Sequence, residues 1–237
     1  MTTEGRTVPP NRLLASLPRR ECVRLLADCD AVDLESGTVL FEANARLRAV
    51  YFPTDSFVSL LIPVDGKNHL EVGMVGNEGM VGAPLILGVN RSELRALVQG
   101  AGPAWRMGAR TFARELVASA AFRIAMHRYL QARMAQFAQA AACTRFHLIE
   151  GRLARWLLMT QDRAHDSQFH VTHEVLAHML GVRRVGVTRA ANALQKRKLI
   201  RYHRGEVTIL DRTAMEAASC GCYLADLRVY GKLLGGA

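Results

Sequence analysis

Residues 172–194 read THEVLAHMLGVRRVGVTRAANAL, and the rest of the chain is interpreted outward from them. Two short helices that cross steeply through a tight turn need a small residue where they touch. They also need a glycine at the turn and apolar residues that pin both helices to the body of the domain. Ala177 is the small residue, Gly181 the turn, and Leu176, Leu180, Val182, Val187 and Ala190 the apolar set. Thr172 can cap free backbone amides, and Glu174 sits near the positive helix end. The spacing therefore predicts one helix from about Thr172 and a second from about Arg183, a helix-turn-helix. On the second helix, packing does not need Arg183, Arg184, Val185, Thr188, Arg189 or Asn192, so these face outward. Arg can read guanine and Asn adenine with paired hydrogen bonds, and the methyl groups of Val and Thr can touch thymine. These six are the expected base-reading residues, with double-stranded DNA as the partner.

Downstream, Leu199 to Leu210 reads as a hairpin turning at His203-Arg204-Gly205, the wing of a winged helix. Thr172, Lys196, Lys198, Arg201, His203 and Arg204 are placed to meet phosphates, which adds affinity without sequence information. The formal charge of +10 supports this because it is clustered: eight basic residues and no acid fall between Arg183 and Gly205. Only clustered charge directs a field at a polyanion.

Upstream, Gly151 to Met159 forms a helix carrying Leu153, Trp156, Leu157 and Leu158, followed by a polar linker, Thr160 to Ser167. Residues Ala109 to Glu150 contain neither Pro nor Gly and are rich in good helix formers, which predicts one long helix, broken near its end. Met126, Leu130, Met134 and Phe137 recur on it at three- and four-residue steps and draw an apolar stripe. A stripe on so long a helix points to a second copy of the chain as homodimer partner; packing within the chain is the alternative. From Thr38 to Met107 the pattern changes to short β-rich runs, Val39–Phe41, Val50–Phe52, Phe57–Val64, Leu70–Val75, Leu94–Val98 and Ala104–Met107. Asp65-Gly66 is a hairpin signal between two of them. Leu13 to Cys29 reads as short helices broken by Pro18. The fold class is α+β, with an N-terminal β-roll of jelly-roll type.

No apolar run approaches the roughly 18 residues of a membrane-spanning helix, and Met1 to Pro10 lacks the pattern of an export signal. A cytoplasmic protein with no membrane partner is expected. Cys22, Cys29, Cys143, Cys220 and Cys222 form no regular framework and suit reduced thiols. Cys220-Gly221-Cys222 is too tight for ordinary zinc pairing without two partners elsewhere, and His170-Val171-Thr172-His173-Glu174 suits helix capping, so no metal is assigned. Cys22 with Cys29 does not give the spacing of a cluster-binding set. Gly76 to Gly82 lacks both the dinucleotide fingerprint and a P-loop lysine. An enzyme with a β-roll active site is the alternative reading, but no catalytic residue can be named and none is expected.

Three segments, GRLARWLL at 151–158, the helix-turn-helix at 172–194 and LIRYHRGEVTIL at 199–210, resemble in order and spacing the DNA-binding half of the Crp/Fnr family of bacterial transcription regulators. The resemblance implies a cyclic-nucleotide-binding-like β-roll at 1–108, a long dimerisation helix at 109–147 and a winged helix-turn-helix at 148–237. RNA polymerase is implied as a further partner. The family's base-reading arginines fall on Arg184 and Arg189, while Val185 stands where a glutamate is often found. Members that bind cyclic AMP use a Gly-Glu segment and an Arg-Ser pair at the position of VGNEGMVGAPLILGVNRSELRA, 75–96. Here Ala83 and Pro84 follow Gly82, which speaks against cyclic AMP. Glu78, Gly79, Gly82, Arg91, Ser92 and Arg95 are the candidate effector pocket. A cyclic nucleotide or cyclic dinucleotide is the effector class to test, with no effector as the alternative.

Overall fold

The structure, a computed structural model, describes residues 11–64 and 69–233; the expected Asp65-Gly66 turn and the Met1 to Pro10 segment lie outside them. Pro18 separates α1 (Arg12–Ala15) from α2 (Arg19–Ala27) and stands at the N-cap of α2, where its missing N–H costs no hydrogen bond. The strands follow: β1 (Asp30–Leu34), β2 (Val39–Phe41), β3 (Ala49–Pro53), β4 (Phe57–Pro63), β5 (His69–Val75), β6 (Arg95–Gly100) and β7 (Gly102–Gly108), with a 3-10 helix, Ala83–Leu87, between β5 and β6. They make two antiparallel sheets, ordered β1-β7-β3 and β2-β6-β4-β5. Leu34, Val58, Leu60, Val75, Val81, Ala96, Val98 and Ala104 form one buried cluster of this roll. Strand β1 carries Asp30 and Asp33 among its five residues, so its composition gave little β signal.

The long helical region differs from expectation at one point. Besides the expected break near its end, at His147 and Leu148, it breaks at Ser119 into α3 (Ala109–Ala118) and α4 (Ala120–Phe146). Ser119 accepts from the Phe122 amide at 3.1 Å and donates to Glu21 at 2.6 Å, and the bend lets Phe112 and Phe122 meet edge-on at 5.5 Å. A serine that caps a new helix does not show as a break in composition. Met126 is also reassigned: it is fully buried with Leu13, Phe52, Met107 and Tyr129, so it packs within the chain. Three- and four-residue spacing fixes a helix face but not what covers it.

Next come α5 (Ile149–Ala164), β8 (Gln168–His170), α6 (His173–Leu180), α7 (Arg184–Lys196), β9 (Ile200–His203), β10 (Glu206–Ile209), α8 (Arg212–Ala218) and α9 (Cys222–Leu233). Helix α5 runs into the expected linker, Thr160 to Ser167, as far as Ala164, because residues 160–164 are held. The Thr160 hydroxyl donates to the Trp156 carbonyl, and Arg163 is ion-paired with Glu78 at 2.6 Å. Leu153, Leu157, Leu176, Val187, Leu194, Ile200 and Val207 share a core that reaches β-roll residues Leu61 and Met74. Helix α9 packs on α4, where the Tyr230 hydroxyl donates to Gln136 Oε1 at 3.1 Å.

The joint between the roll and α5 holds a protonatable group. Glu71 on β5 accepts from Trp156 Nε1 at 3.0 Å and from the Ser59 hydroxyl. Burial pushes its carboxyl up to about 7, against these hydrogen bonds, which lower it. The folded state thus keeps a proton that the unfolded chain releases near about 4.3. Stability present below that pH is lost as pH rises toward 7. Between pH 5 and pH 8 the wild type should lose on the order of 2 kcal/mol, allowing for the part of the side chain open to solvent, and Glu71→Gln should lose that much less. Urea midpoints at the two pH values measure it; parallel losses would show that Glu71 does not titrate in this window.

Candidate nucleic-acid interface and effector cavity

Helix α6 starts at Thr172, whose hydroxyl accepts from the Val175 amide at 3.2 Å. It stops at Gly181, in the left-handed region at φ 62°. A side chain there would be strained, and its Cβ would come within 2.7 Å of Leu70 Cδ1 on β5. The turn therefore needs glycine for its own conformation and for the close approach of the roll. Helix α7 begins at Arg184, with Arg183 as N-cap, one residue later than expected. It buries Val187, Ala190, Ala191 and Leu194 and turns Arg183, Arg184, Val185, Arg189 and Asn192 to solvent. No side chain caps its first turn, so amides at the positive helix end remain to meet an anion.

Thr188 is placed differently from the other five. It is half-buried, and its hydroxyl lies 3.0 Å from His173 Nδ1 and 3.1 Å from the Arg184 carbonyl. The hydroxyl is thus engaged within the chain, which leaves its methyl as the group free to touch a base. His173, whose place in the sequence suits helix capping, joins the two helices to the wing instead: its ring lies 4.5 Å from the Tyr202 ring, and the Tyr202 hydroxyl donates to the Val171 carbonyl at 2.6 Å. Burial, aided by Arg184, lowers the His173 pKa and favours the neutral ring.

Strands β9 and β10 pair in register from Ile200↔Ile209 to His203↔Glu206. Arg204 and Gly205 link them at φ 50° and 87°, the positive pair that matches strand twist in a two-residue hairpin. Thr172, Lys196, Lys198, Arg201, His203 and Arg204 are all exposed. Of the eight clustered basic residues, Arg197 is spent within the chain, 2.8 Å from Glu150. Among the described residues the other seven have no ion-pair partner, so their charge is open to a ligand.

A cavity of about 350 Å³ lies between the β-roll and α4, lined by Gly82, Arg91, Ser92, Leu130, Arg133 and Phe137 among others. Three of the six candidate pocket residues thus come together: Gly82, Arg91 and Ser92. The other three do not. Glu78 is held by Arg163, Gly79 sits under the Tyr129 ring, where a Cβ would be 2.6 Å from the nearest ring atom, and Arg95 pairs with Glu42 at 3.2 Å. The residue missed is Arg133, fully buried on α4. Its Nη1 donates to the Met74 carbonyl and to Gln136 Oε1, both uncharged, and among the described residues its Nη2 has no hydrogen-bond partner. Its only sequence signal is an arginine on the apolar side of a helix, between Leu130 and Phe137.

Residues 151–218 match the Crp-like helix-turn-helix domain family. Solved structures of the same fold cover most of the chain, 87% of it in one case. Residues 151–218 thus carry a Crp-like helix-turn-helix domain. A regulator assigned to the Crp/Fnr family from Eubacterium rectale is similar at 18% identity over 87% of this chain and 96% of that one, with a TM-score of 0.69. The c-di-GMP-responsive global regulator CLP of Xanthomonas campestris is similar at 19% identity over 82% and 100%, TM-score 0.66. FixK2 of Bradyrhizobium japonicum is similar at 10% identity over 81% and 98%, TM-score 0.69. No curated protein sequence matches the chain significantly. The likeness over the whole chain is one of fold, whereas the match at 151–218 concerns the DNA-binding part itself. The α7 face and the wing lie inside the matched segment, and Arg133 and the cavity lie outside it. Among the described residues, no helix is long and apolar enough to cross a membrane.

Proposed function

We propose that the chain is a sequence-specific, DNA-binding transcription regulator that acts as a homodimer, reading bases with Arg183, Arg184, Val185, Arg189, Asn192 and the Thr188 methyl. The observation that carries this reading is the outward face of α7, where three arginines with no acid partner among the described residues stand beside an uncapped helix start. Thr172, Lys196, Lys198, Arg201, His203 and Arg204 hold the flanking phosphates. RNA polymerase is the further partner of a regulator built this way, and the β-roll, α4 and the winged helix act as its three working parts, with bounds near 1–108, 109–147 and 148–237. Selection from random duplexes tests the central claim. Enrichment of a site with two related halves supports it, and recovery of no enriched sequence, with or without ligands, would overturn it.

The cavity favours a ligand-controlled regulator. A buried guanidinium with a free N–H and no carboxylate partner among the described residues suits an anion, and Arg91 adds a second cation at the rim. The volume lies within the range of small-molecule sites. A cyclic mononucleotide or dinucleotide supplies the phosphate and the flat apolar base that this lining accommodates; one structural neighbour is a c-di-GMP-responsive regulator. A ligand at 100 times its Kd should stabilise the fold by about 2.7 kcal/mol, a Tm rise of about 5–10 °C for a chain of this size. Arg133→Met should abolish that rise while leaving the unliganded Tm close to wild type. A thermal-shift screen in both proteins checks it; an equal rise in the variant would place the ligand elsewhere.

A further inference from the structure

Four metal-ligating side chains converge where the long helix meets the DNA-binding part. Cys143 and His147 stand four residues apart on the last turn of α4, and so on one face; His147 is the C-cap of that helix. Cys220 and Cys222 flank Gly221 at the start of α9, whose first residue is Cys222. The donor atoms of all four lie within 4.8 Å of one another. Cys143 Sγ is 3.5 Å from Cys220 Sγ, and Cys222 Sγ is 3.4 Å from His147 Nδ1. We infer that Cys143, His147, Cys220 and Cys222 form a tetrahedral Cys3His site for a zinc ion.

The distances suit one ion. Zinc–sulfur bonds of about 2.3 Å and zinc–nitrogen bonds of about 2.0 Å place tetrahedral donors about 3.5–3.8 Å apart. A two-iron cluster would instead hold its donor pairs apart by the width of its Fe2S2 core. The surroundings also fit a thiolate-rich site. Gln139 Nε2 donates to Cys222 Sγ at 3.0 Å, the kind of outer hydrogen bond that orients a metal ligand. Three thiolates and a neutral imidazole on a divalent ion leave one net negative charge. Arg152, which has no acid partner among the described residues, lines the same recess as Cys143 and opposes it, while Arg155 there is paired with Asp226 at 2.6 Å. Sequence spacing lacked two partners for Cys220-Gly221-Cys222; the fold supplies them from 73 or more residues upstream.

The site has a structural consequence. Leu148, the N-cap of α5, directly follows His147, and the Cys220 amide donates to the Gly151 carbonyl at 3.2 Å. An ion here would tie the end of α4, the start of α5 and the start of α9 into one joint, fixing how the DNA-binding part sits on the long helix. Binding of zinc deprotonates the thiols and releases their protons to solvent, with no change of oxidation state.

The test uses the full chain, purified reduced and anaerobically, stripped with chelator and titrated with Co2+. The expected result is one Co2+ per chain, with the intense visible bands and sulfur-to-cobalt charge transfer of a tetrahedral thiolate site, displaced by one Zn2+. Cys222→Ser should weaken binding about 100-fold or more, and Gln139→Ala about 10-fold. His147 is exposed, so His147→Ala should weaken binding with an unchanged far-ultraviolet circular dichroism spectrum even where Cys222→Ser folds poorly. Cys22→Ser and Cys29→Ser, in the N-terminal part, should bind as wild type. Octahedral or absent cobalt spectra, binding unchanged in both His147→Ala and Cys222→Ser, acid-labile sulfide with iron, or a Cys143–Cys220 disulfide in the anaerobic protein would each overturn the assignment.

Discussion

Replacing Arg184 with Ala should cost about 1–3 kcal/mol per half-site on the preferred DNA and much less on random duplexes, because a bidentate pairing with a guanine edge exists only at the correct base. Arg184 and Arg189 are both exposed on α7, five residues apart, and neither has an ion-pair partner among the described residues. Arg189→Ala should behave in the same way at a different base position. Because the loss is confined to the correct site, the ratio of specific to random affinity should fall about 5- to 150-fold for each half-site. Lys198 and Arg201 occupy a different place: Lys198 follows the C-cap of α7 at φ 57°, and Arg201 is exposed on β9. Their replacement should weaken every duplex alike and reduce the slope of log K against log salt by about 0.9 for each phosphate that is no longer neutralised. Binding titrations on the selected site and on a scrambled one, at three salt concentrations, separate the two behaviours. Equal losses on both duplexes for Arg184→Ala, together with altered site preference for Arg201→Ala, would reverse the assigned roles.

The contrast between these residues and the cavity between the β-roll and α4 shows what sequence can and cannot carry. The winged helix was legible because its requirements are local: Ala177, Gly181, the apolar set and the outward arginines all lie within 23 residues, and helical geometry alone sorts the buried from the exposed. Pro18 and the Arg204-Gly205 turn were legible for the same reason. The cavity depends on which strand loop faces which helix, and that is decided by packing across more than 40 residues between Gly82 and Arg133. Glu78 looked free for a ligand because its partner, Arg163, is 85 residues away. The Cys143, His147, Cys220 and Cys222 cluster escaped for this reason as well. Helices α8 and α9, which bring it together, carried no motif to draw attention to them. Ser119 is the local exception, a break hidden because a serine cap and a serine within a helix look alike in one dimension.

The largest expected effect concerns the stripe on α4, and the structure alters which of its residues should be probed. Met126 lies in the intrachain core, and Leu130 both packs on that core and lines the cavity, so a charge at either would disturb the fold of a single chain. Met134 is 59% exposed. Phe137 is half-buried and borders a second apolar groove with Ile62, Leu70, Leu94 and Ala141. A partner helix laid along this groove would bury Met134 and Phe137 of both copies about a twofold axis and would close the mouth of the cavity, coupling ligand and dimer. Met134→Glu costs little in an isolated chain, because its side chain already meets water. In a seam it buries two unpaired carboxylates, one from each subunit, at several kcal/mol apiece. That should weaken association on the order of 1000-fold or more, since each 1.4 kcal/mol is tenfold. Light scattering at micromolar concentration should show the mass of Met134→Glu halved, with circular dichroism unchanged, and Phe137→Glu should do the same. Affinity for a two-halved site should fall with it, because one chain grips only one half-site. A dimer of unchanged mass in both variants would mean that these residues pack against their own chain and that the second copy, if there is one, meets another face.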